Sequence, residues 1–423
     1  MKRAWVLRPH FARAEEIYHE PRLGLEEAVS LAKSIGLNVI RSEIVKLRRR
    51  NTSTLFGSGV IEGFAKSVAR RSIDLVIVDS TLTPTQQRNL EAAWLCKIID
   101  RTGLILEIFG RRATTHEGRL QVELAALTYQ RTRLVRAWTH LERQRGGFGF
   151  LGGPGESQIE ADRRQIDKRV NHIRKRLLRV VRTRQLQRNA RSRVPFPTVA
   201  LVGYTNAGKS TLFNRLTNSD VHAKDEVFAT LDPTMRRLVL PSGQSVILSD
   251  TVGFIADIPT DLISAFRATL EEVVAADVII HVRDISHPGH ATQNQDVRAT
   301  LEELGIDVDG TTIVIEAFNK IDRLCSDSPS QPWIRNGGAV RQISISARDG
   351  SGCGQLIDML DRCLTSNREI IELSLAVSHG RAVAWLYRHG EVLSRADDDE
   401  KVWLRVSLDP LRKAQFEQRF GVE

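Results

Sequence analysis

The 423-residue sequence contains few cysteines, and their arrangement does not suggest a disulfide framework or a zinc site. No two cysteines show CxxC spacing, and the histidines form no cluster with them. Metal-binding and redox motifs depend on such spacing. We therefore expect free thiols at Cys96, Cys325, Cys353 and Cys363.

Long hydrophobic runs are also missing. No uncharged apolar stretch approaches the roughly 20 residues of a membrane-spanning helix. The best one, residues 273–282, is interrupted by Asp277 and is typical of a buried strand. The first twenty residues lack the apolar core of a signal peptide. We therefore expect a cytoplasmic protein with no stable membrane insertion.

The positive charge is concentrated in one segment. The composition, 41% hydrophobic and 26% charged, is ordinary for a globular protein and excludes disorder as the main state. The net charge is +10, yet residues 163–193 alone hold thirteen Arg or Lys and one acid, Asp167. This excess of +12 leaves about −2 for the rest of the chain. The segment predicts a docking element for a polyanion, although a solvated charged helix would have the same composition.

An N-terminal α/β subdomain is predicted over residues 1–110, because helix-like and strand-like runs alternate there. Thr83-Pro84-Thr85-Gln86 resembles a helix capping box. The predicted helices cover residues 25–35 and 60–71. The predicted strands cover residues 39–47, 74–80, 97–99 and 104–108.

A basic helical hairpin is predicted over residues 111–194. Apolar residues recur at helical spacing from Leu120 to Leu141 and again from Ile159 to Val180, as in two antiparallel helices. The tip between them, residues 146–156, holds six glycines in eleven residues. Phe148 and Phe150 favour a contact element there over a plain flexible turn.

A P-loop GTPase domain is predicted over residues 195–368, and a small C-terminal α/β module over residues 369–423. The first has a mostly parallel sheet flanked by helices, with strands at 198–202, 245–250, 277–282 and 312–319. The module is expected to have short strands around residues 375–387 and 401–408 and a closing helix. The fold class is therefore multidomain α/β, and we expect a monomer.

The phosphate-binding motif is GYTNAGKS, from Gly203 to Ser210, which matches GxxxxGK[ST]. It follows a predicted strand and opens a helix, so that its backbone N–H groups and the helix N-terminus can bind phosphates. In this motif Lys209 reaches the β/γ oxygens and the Ser210 hydroxyl coordinates Mg²⁺.

Three further motifs follow in the order of a GTPase. Asp250 begins DTVG and would hold Mg²⁺ through water, while the N–H of Gly253 can sense the γ-phosphate. In NKID, the carboxylate of Asp322 can accept hydrogen bonds from guanine N1 and the exocyclic amine, which selects GTP over ATP. The SAR segment, residues 346–348, can close over the base.

Thr230 lies between these motifs, at the position of a switch threonine that binds Mg²⁺ only with a γ-phosphate. We assign catalytic roles to Lys209, Thr230 and Gly253, and Mg²⁺ coordination to Ser210 and Thr230. The predicted GTP-binding residues are Gly203, Tyr204, Thr205, Asn206, Ala207, Gly208, Lys209, Ser210, Phe228, Ala229, Thr230, Leu231, Asp232, Asp250, Thr251, Val252, Gly253, Asn319, Lys320, Ile321, Asp322, Ser346, Ala347 and Arg348.

Two positions bear on the hydrolysis rate. Phe254 stands where many GTPases carry the glutamine that orients the attacking water, so we expect slow intrinsic hydrolysis unless a partner supplies this function. The side-chain oxygen of Asn206 could help bind K⁺ beside the phosphates. A polar loop residue without that role is the alternative.

The chain resembles the HflX family of ribosome-associated GTPases over nearly its full length. Besides the GTPase motifs, the resemblance is carried by TPTQQRNLE (83–91), DRTGLILEIF (100–109), THEGRLQVELA (115–125) and GPGESQIEADRR (153–164). It implies the domain order given above, binding to the large ribosomal subunit and its rRNA, and splitting or rescue of stalled ribosomes. Members also carry a hydrophobic residue at the Phe254 position. The sequence has Gly57-Ser58-Gly59-Val60 where the family often has GxGK, so no ATP site is assigned.

The basic hairpin would then be the rRNA-binding arm, with Arg174, Lys175 and Arg176 expected to point outward. The alternative function is a GTP-gated RNA-binding protein without remodelling activity.

Overall fold

A computed structural model of the chain describes residues 2–11, 20–144, 154–191, 196–219, 228, 230, 233–256, 267–307, 312–324, 334–337, 340–365, 369–398, 401–408 and 410–421. The predicted hairpin tip, with Phe148 and Phe150, lies mostly outside these residues. So do the segments next to residues 194 and 368, and the predicted domain boundaries therefore stay predictions.

The N-terminal part folds around a four-stranded sheet of order β2-β1-β3-β4 in which all pairs are parallel. The capping box is confirmed: the Gln86 N–H donates to Thr83 Oγ1 at 3.2 Å, and the Thr83 N–H donates to Gln86 Oε1 at 2.9 Å. The elements are β1 (Arg3–Phe11), α1 (Pro21–Ser34), β2 (Asn38–Leu47), α2 (Ser58–Arg71), β3 (Leu75–Val78), α3 (Pro84–Trp94), β4 (Lys97–Asp100) and α4 (Arg101–Arg112).

The strand predicted at residues 104–108 is wrong, because these residues lie in helix α4. Asp100 ends β4 and caps α4, since its carboxylate accepts a hydrogen bond from the Gly103 N–H at 2.8 Å. The run from Leu104 to Ile108 is almost continuously apolar because α4 is covered on several sides. A short apolar run of this kind does not distinguish a buried helix from a buried strand.

The predicted hairpin is confirmed as α5 (His116–Gln144) and α6 (Pro154–Arg191). Ion pairs join Glu123 to Arg169 at 2.6 Å and Arg131 to Asp167 at 2.8 Å, so that later residues of α5 meet earlier residues of α6. The expectation that Arg176 points outward is wrong. Its guanidinium is 2.6 Å from Nε2 of His116 on α5, whereas Arg174 and Lys175 are exposed.

The central part contains a seven-stranded sheet of order β10-β11-β9-β8-β5-β7-β6, with antiparallel pairing only between β6 and β7 and between β10 and β11. All four predicted strands are present. The elements are β5 (Thr198–Val202), α7 (Lys209–Thr217), β6 (Thr234–Val239), β7 (Ser245–Asp250), α8 (Arg267–Val274), β8 (Val278–Asp284), α9 (His290–Glu303), β9 (Ile313–Asn319), β10 (Ile334–Gly337), β11 (Val340–Ser344) and α10 (Cys353–Thr365).

The C-terminal module has an antiparallel sheet of order β12-β14-β13 under two helices. The strand expected over residues 375–387 is only partly right, because β12 ends at Ala376 and residues 380–389 form a helix. Ala382 and Leu386, four residues apart, are buried with Phe416 in one cluster, which is helical spacing. The elements are β12 (Glu369–Ala376), α11 (Gly380–His389), β13 (Glu391–Asp397), β14 (Lys401–Leu408) and α12 (Pro410–Phe420).

Over the described ranges, none of the helices combines the length and the apolar character needed to cross a membrane.

Candidate nucleotide-binding site

The predicted motifs meet at one edge of the seven-stranded sheet. GYTNAGKS follows β5, DTVG begins at the last residue of β7, NKID begins at the last residue of β9, and SAR follows β11. The carboxyl ends of parallel strands lie on the same edge of a sheet, where open α/β sheets bind their ligands. The fold therefore brings the four motifs together.

The phosphate loop turns tightly into the start of α7. Gly208 precedes the helix with φ +96°, and a Cβ there would lie 2.3 Å from Nδ2 of Asn319, so only glycine fits. Lys209 is buried, and its Nζ donates to the carbonyl oxygens of Tyr204 at 2.8 Å and Gly203 at 3.1 Å. The ammonium group is therefore held against the backbone of the phosphate loop, next to the position where phosphate oxygens would bind.

Burial lowers the pKa of Lys209 to about 8 from its ordinary 10.5, and the nearby Lys320 lowers it further while Asp250 opposes the change. Removing the charged ammonium group from water costs free energy, and burial therefore favours the neutral form of the side chain. A triphosphate next to Nζ would restore the charged form, so nucleotide binding and protonation of Lys209 are coupled.

Three oxygen-bearing side chains meet beside the loop. Ser210 Oγ lies 2.8 Å from Thr230 Oγ1, and both hydroxyls donate to Oδ2 of Asp250, at 2.7 and 2.9 Å. Adjacent ligands of an octahedral Mg²⁺ at 2.0–2.1 Å are about 2.9 Å apart, so the hydroxyl pair fits such an ion. The other Asp250 oxygen, Oδ1, is buried and has no hydrogen-bond partner among the described residues. This corner therefore has the donor set of a magnesium site.

The segment after β7 lies against the phosphate loop. The Phe254 N–H donates to the Gly203 carbonyl at 3.1 Å, and the Thr205 N–H donates to the Phe254 carbonyl at 2.8 Å. A Cβ on Gly253 would lie 2.9 Å from Cα of Thr205 and 3.0 Å from Lys209 Nζ. Glycine is therefore needed at this position. The Phe254 ring is buried in an apolar cluster and cannot hydrogen-bond a water molecule.

The base-recognition motifs are joined to the phosphate loop by side-chain hydrogen bonds. Asn319 donates to the Ala207 carbonyl at 2.8 Å and accepts from the Ala347 N–H at 2.9 Å. Ser346 Oγ donates to Oδ1 of Asp322 at 2.8 Å and so fixes the carboxylate. Lys320 Nζ donates to the Asn206 carbonyl at 2.8 Å.

Two residues of this network were not predicted from the sequence. Asp284, at the end of β8, accepts from Lys320 Nζ at 2.6 Å and holds that lysine over the loop. Arg215 on α7 donates to the backbone carbonyls of Ala347 and Arg348 and holds the SAR segment. Asp284 follows a buried strand at the same sheet edge, which could have indicated it.

The predicted site residues that the structure places together at this edge are Gly203, Tyr204, Thr205, Asn206, Ala207, Gly208, Lys209, Ser210, Thr230, Asp250, Thr251, Val252, Gly253, Asn319, Lys320, Ile321, Asp322, Ser346, Ala347 and Arg348. The Phe228 side chain is instead buried against Phe109 of the N-terminal part. Ala229, Leu231 and Asp232 lie outside the described residues.

Three known families match successive parts of the chain. Residues 23–110 match the family described as GTP-binding GTPase N-terminal, and residues 112–191 match GTP-binding GTPase Middle Region. Residues 198–320 match the family described as 50S ribosome-binding GTPase.

Among solved structures, the chain is similar to a GTP-binding protein from the archaeon Sulfolobus solfataricus in complex with GDP. The identity is 20% and the TM-score 0.45, over 86% of this chain and 99% of that one.

Curated relatives cover almost the whole sequence. The GTPase HflX of Magnetococcus marinus is 47% identical over 402 residues, which are 94% of this chain and 92% of that protein. The GTPase HflX of Escherichia coli is 41% identical over 392 residues, 91% and 89% of the two chains. The chain therefore belongs to the GTPase HflX family and is an enzyme that hydrolyses GTP.

Proposed function

We propose that the residues at the sheet edge bind GTP together with Mg²⁺. Lys209 contacts the β/γ oxygens, Ser210 and Thr230 coordinate the ion, and Asp250 orients them. When bound there, Mg²⁺ would supply positive charge beside the phosphate oxygens. The 2.8 Å approach of the two hydroxyls and the unpartnered Asp250 oxygen support this assignment.

Base selection and hydrolysis follow from the same site. Asp322 would recognise guanine, with Ser346 fixing the carboxylate. Gly253 would sense the γ-phosphate through its N–H. Because the buried Phe254 cannot orient water, the intrinsic rate would be slow, and a bound ribosome would raise it. We also propose that the side-chain oxygen of Asn206, which is exposed in the phosphate loop, helps bind K⁺ beside the phosphates.

The partner we propose is the large ribosomal subunit, contacted through rRNA by helix α6. Five exposed basic residues of this helix lie within an arc of about 60° at 100° per residue. The buried Val170 and Ile173 face α5 on the opposite side. The five are Arg164, Lys168, Lys175, Arg179 and Arg182, named here the basic stripe.

The basic stripe is the observation that carries the proposal. It runs for about 27 Å at 1.5 Å per residue, which is long enough for several backbone phosphates. The charges of the basic stripe all have one sign, and no acidic side chain lies among them in this arc, as binding to a row of phosphates requires. The family that matches residues 198–320 is described as ribosome-binding, which supports the choice of partner.

GTP binding would then drive the splitting or rescue of stalled ribosomes. We name the residues around Thr230 and those around Gly253 the two switch segments. Their response to the γ-phosphate would give the two states that such a cycle requires. The second candidate is a GTP-gated RNA-binding protein without remodelling activity, and the basic stripe alone is equally compatible with it.

Sedimentation of intact ribosomes with the purified protein separates the two functions. We expect dissociation into subunits with GTP and with a non-hydrolysable analogue, and none with GDP. Binding to intact ribosomes that leaves them associated in every nucleotide state would favour the second candidate.

A further inference from the structure

Helix α4 of the N-terminal part contacts both switch segments, which are proposed above to respond to the γ-phosphate. Its first residue, Arg101, is buried beside the backbone that follows DTVG. Phe109, about 12 Å further along the helix at 1.5 Å per residue, packs on Phe228, two residues before Thr230. One helix outside the GTPase sheet therefore reaches both switch segments.

The contact with the DTVG segment fixes one residue through both of its backbone polar groups. The Ala256 carbonyl accepts a hydrogen bond from the Arg101 guanidinium at 2.9 Å. The Ala256 N–H donates to the hydroxyl oxygen of Tyr204 at 2.9 Å. Ala256 lies only three residues after Gly253, so the position of the γ-phosphate sensor is tied to these two side chains.

Both side chains are held by the same N-terminal carboxylate. Glu27 on α1 accepts from Arg101 at 2.5 Å and from the Tyr204 hydroxyl at 2.6 Å. Asp79, which follows β3, accepts from Arg101 at 2.6 Å and pairs with Arg8. The two arginines balance the two carboxylates, which makes a buried network of this kind tolerable.

The contact with the Thr230 segment is apolar. The rings of Phe109 and Phe228 are 4.7 Å apart at an angle of 76°. Phe228 is buried and has φ +55°, a conformation that is unfavourable for a residue with a side chain. Packing against α4 offsets this strain. Two residues later, Thr230 contacts Ser210 and Asp250.

We propose that Arg101 and Phe109 are positioning residues for GTP hydrolysis, which hold the two switch segments in the arrangement that brings Thr230 to Ser210 and Gly253 to Lys209. The inference rests on the roles of Thr230 and Gly253 proposed above. Since linkage is reciprocal, a γ-phosphate that orders the switches also strengthens the docking of α4. The packing of the N-terminal part on the GTPase domain would therefore depend on which nucleotide is bound.

Paired substitution tests the polar contact. Replacing Arg101→Gln and Glu27→Gln together keeps the net charge and leaves Asp79 with Arg8. We expect the affinity for a non-hydrolysable GTP analogue to fall at least tenfold more than the affinity for GDP, measured with fluorescent nucleotides. Phe109→Leu should move the same ratio in the same direction, because it removes the ring that packs on Phe228.

Arg111→Gln is the matched control. Arg111 lies on the same helix, but its guanidinium donates to the Ile35 carbonyl within the N-terminal part. Its loss should leave the ratio of the two affinities unchanged. Equal losses of GTP-analogue and GDP affinity in the Arg101/Glu27 variant would indicate a merely structural role and overturn the inference, as would no change in a folded variant.

Two further measurements distinguish a failure of this inference from a failure of the proposed role of Thr230. Thr230→Ala should lower the GTP-analogue affinity selectively. If it does so and the Arg101/Glu27 variant does not, the inference alone fails; if neither does, the proposed role of Thr230 fails too. In the wild-type chain, hydrogen exchange of residues 101–112 should be slower with the GTP analogue than with GDP. Identical exchange in both states would overturn the inference without any variant.

Discussion

The basic stripe on α6 gives a quantitative prediction about RNA binding. We consider Lys168→Gln, Lys175→Gln and Arg179→Gln together, which removes three neighbouring charges from the face opposite α5. None of the three is among the residues that form the nucleotide site. We therefore expect weaker binding to the large ribosomal subunit and unchanged GTP affinity of the free protein.

The magnitude follows from counterion release. Each neutralised phosphate contributes roughly 0.7 to 0.9 to the slope of log affinity against log salt concentration, so three contacts account for about 2 to 3 units. Over a fourfold rise in salt, such as 50 to 200 mM KCl, the triple variant should lose about 30-fold less affinity than the wild type. Fluorescence-anisotropy titrations with labelled protein and purified large subunits at several salt concentrations measure both slopes.

A variant with the same change of net charge is the control. Lys66, Arg70 and Arg71 are exposed on α2, and their replacement by Gln removes three charges far along the chain from the hairpin. This control should keep the wild-type slope. An unchanged slope in the stripe variant, or an equal flattening in the control, would refute the assignment of α6 as the rRNA arm.

Four further predictions concern the nucleotide site. Lys209→Ala should abolish productive GTP binding because the backbone alone does not neutralise the phosphates; an affinity within about threefold of the wild type, by titration with a fluorescent analogue, would contradict the role. Asp322→Asn should remove the discrimination of GTP against xanthosine triphosphate, since an amide cannot accept both guanine protons, and competition binding would reveal unaltered selectivity if the assignment is wrong. Replacing Na⁺ by K⁺ should raise the rate of phosphate release if Asn206 helps bind the cation, whereas equal rates in the two salts would exclude that role. Because the pKa of Lys209 is lowered to about 8 in the free protein and phosphates favour its charged form, GTP should bind about fourfold more weakly at pH 8.5 than at pH 7, with proton uptake by calorimetry; pH-independent affinity would argue against the coupling.

The motifs of the nucleotide site could be predicted because their spacing fixes their placement. A strand followed by GxxxxGK[ST] can bring Lys209 and Ser210 to the phosphates only at a strand end. Asp250 and Asn319 end further strands of the same mostly parallel sheet, and Ser346 follows another. The helical stripes of the hairpin were equally informative, because a repeat sustained over many residues leaves little ambiguity.

The predictions from the sequence were wrong where the surroundings of a residue depend on contacts with distant parts of the chain. Four of the five residues 104–108 are apolar and buried, and only Glu107 is exposed, because α4 packs against both the N-terminal sheet and the GTPase domain. So short a run does not show the helical period. Arg176 looked exposed by composition, but its orientation depends on the register between α5 and α6.

The link between Arg101 and Ala256 could not be predicted at all. It joins residues 155 positions apart, in parts of the chain that form two different sheets. No periodicity or motif in the sequence indicates such a contact, because it forms only when the N-terminal part packs on the GTPase domain.

The central claim is a GTP-dependent association with the large ribosomal subunit, and co-sedimentation with purified subunits tests it most directly. The wild-type protein, loaded with a non-hydrolysable GTP analogue or with GDP, is centrifuged with large or small subunits separately. We predict that the analogue-loaded protein pellets with the large subunit and that retention is much weaker with GDP or with the small subunit. Equal retention in both nucleotide states, or none with the large subunit, would contradict the account.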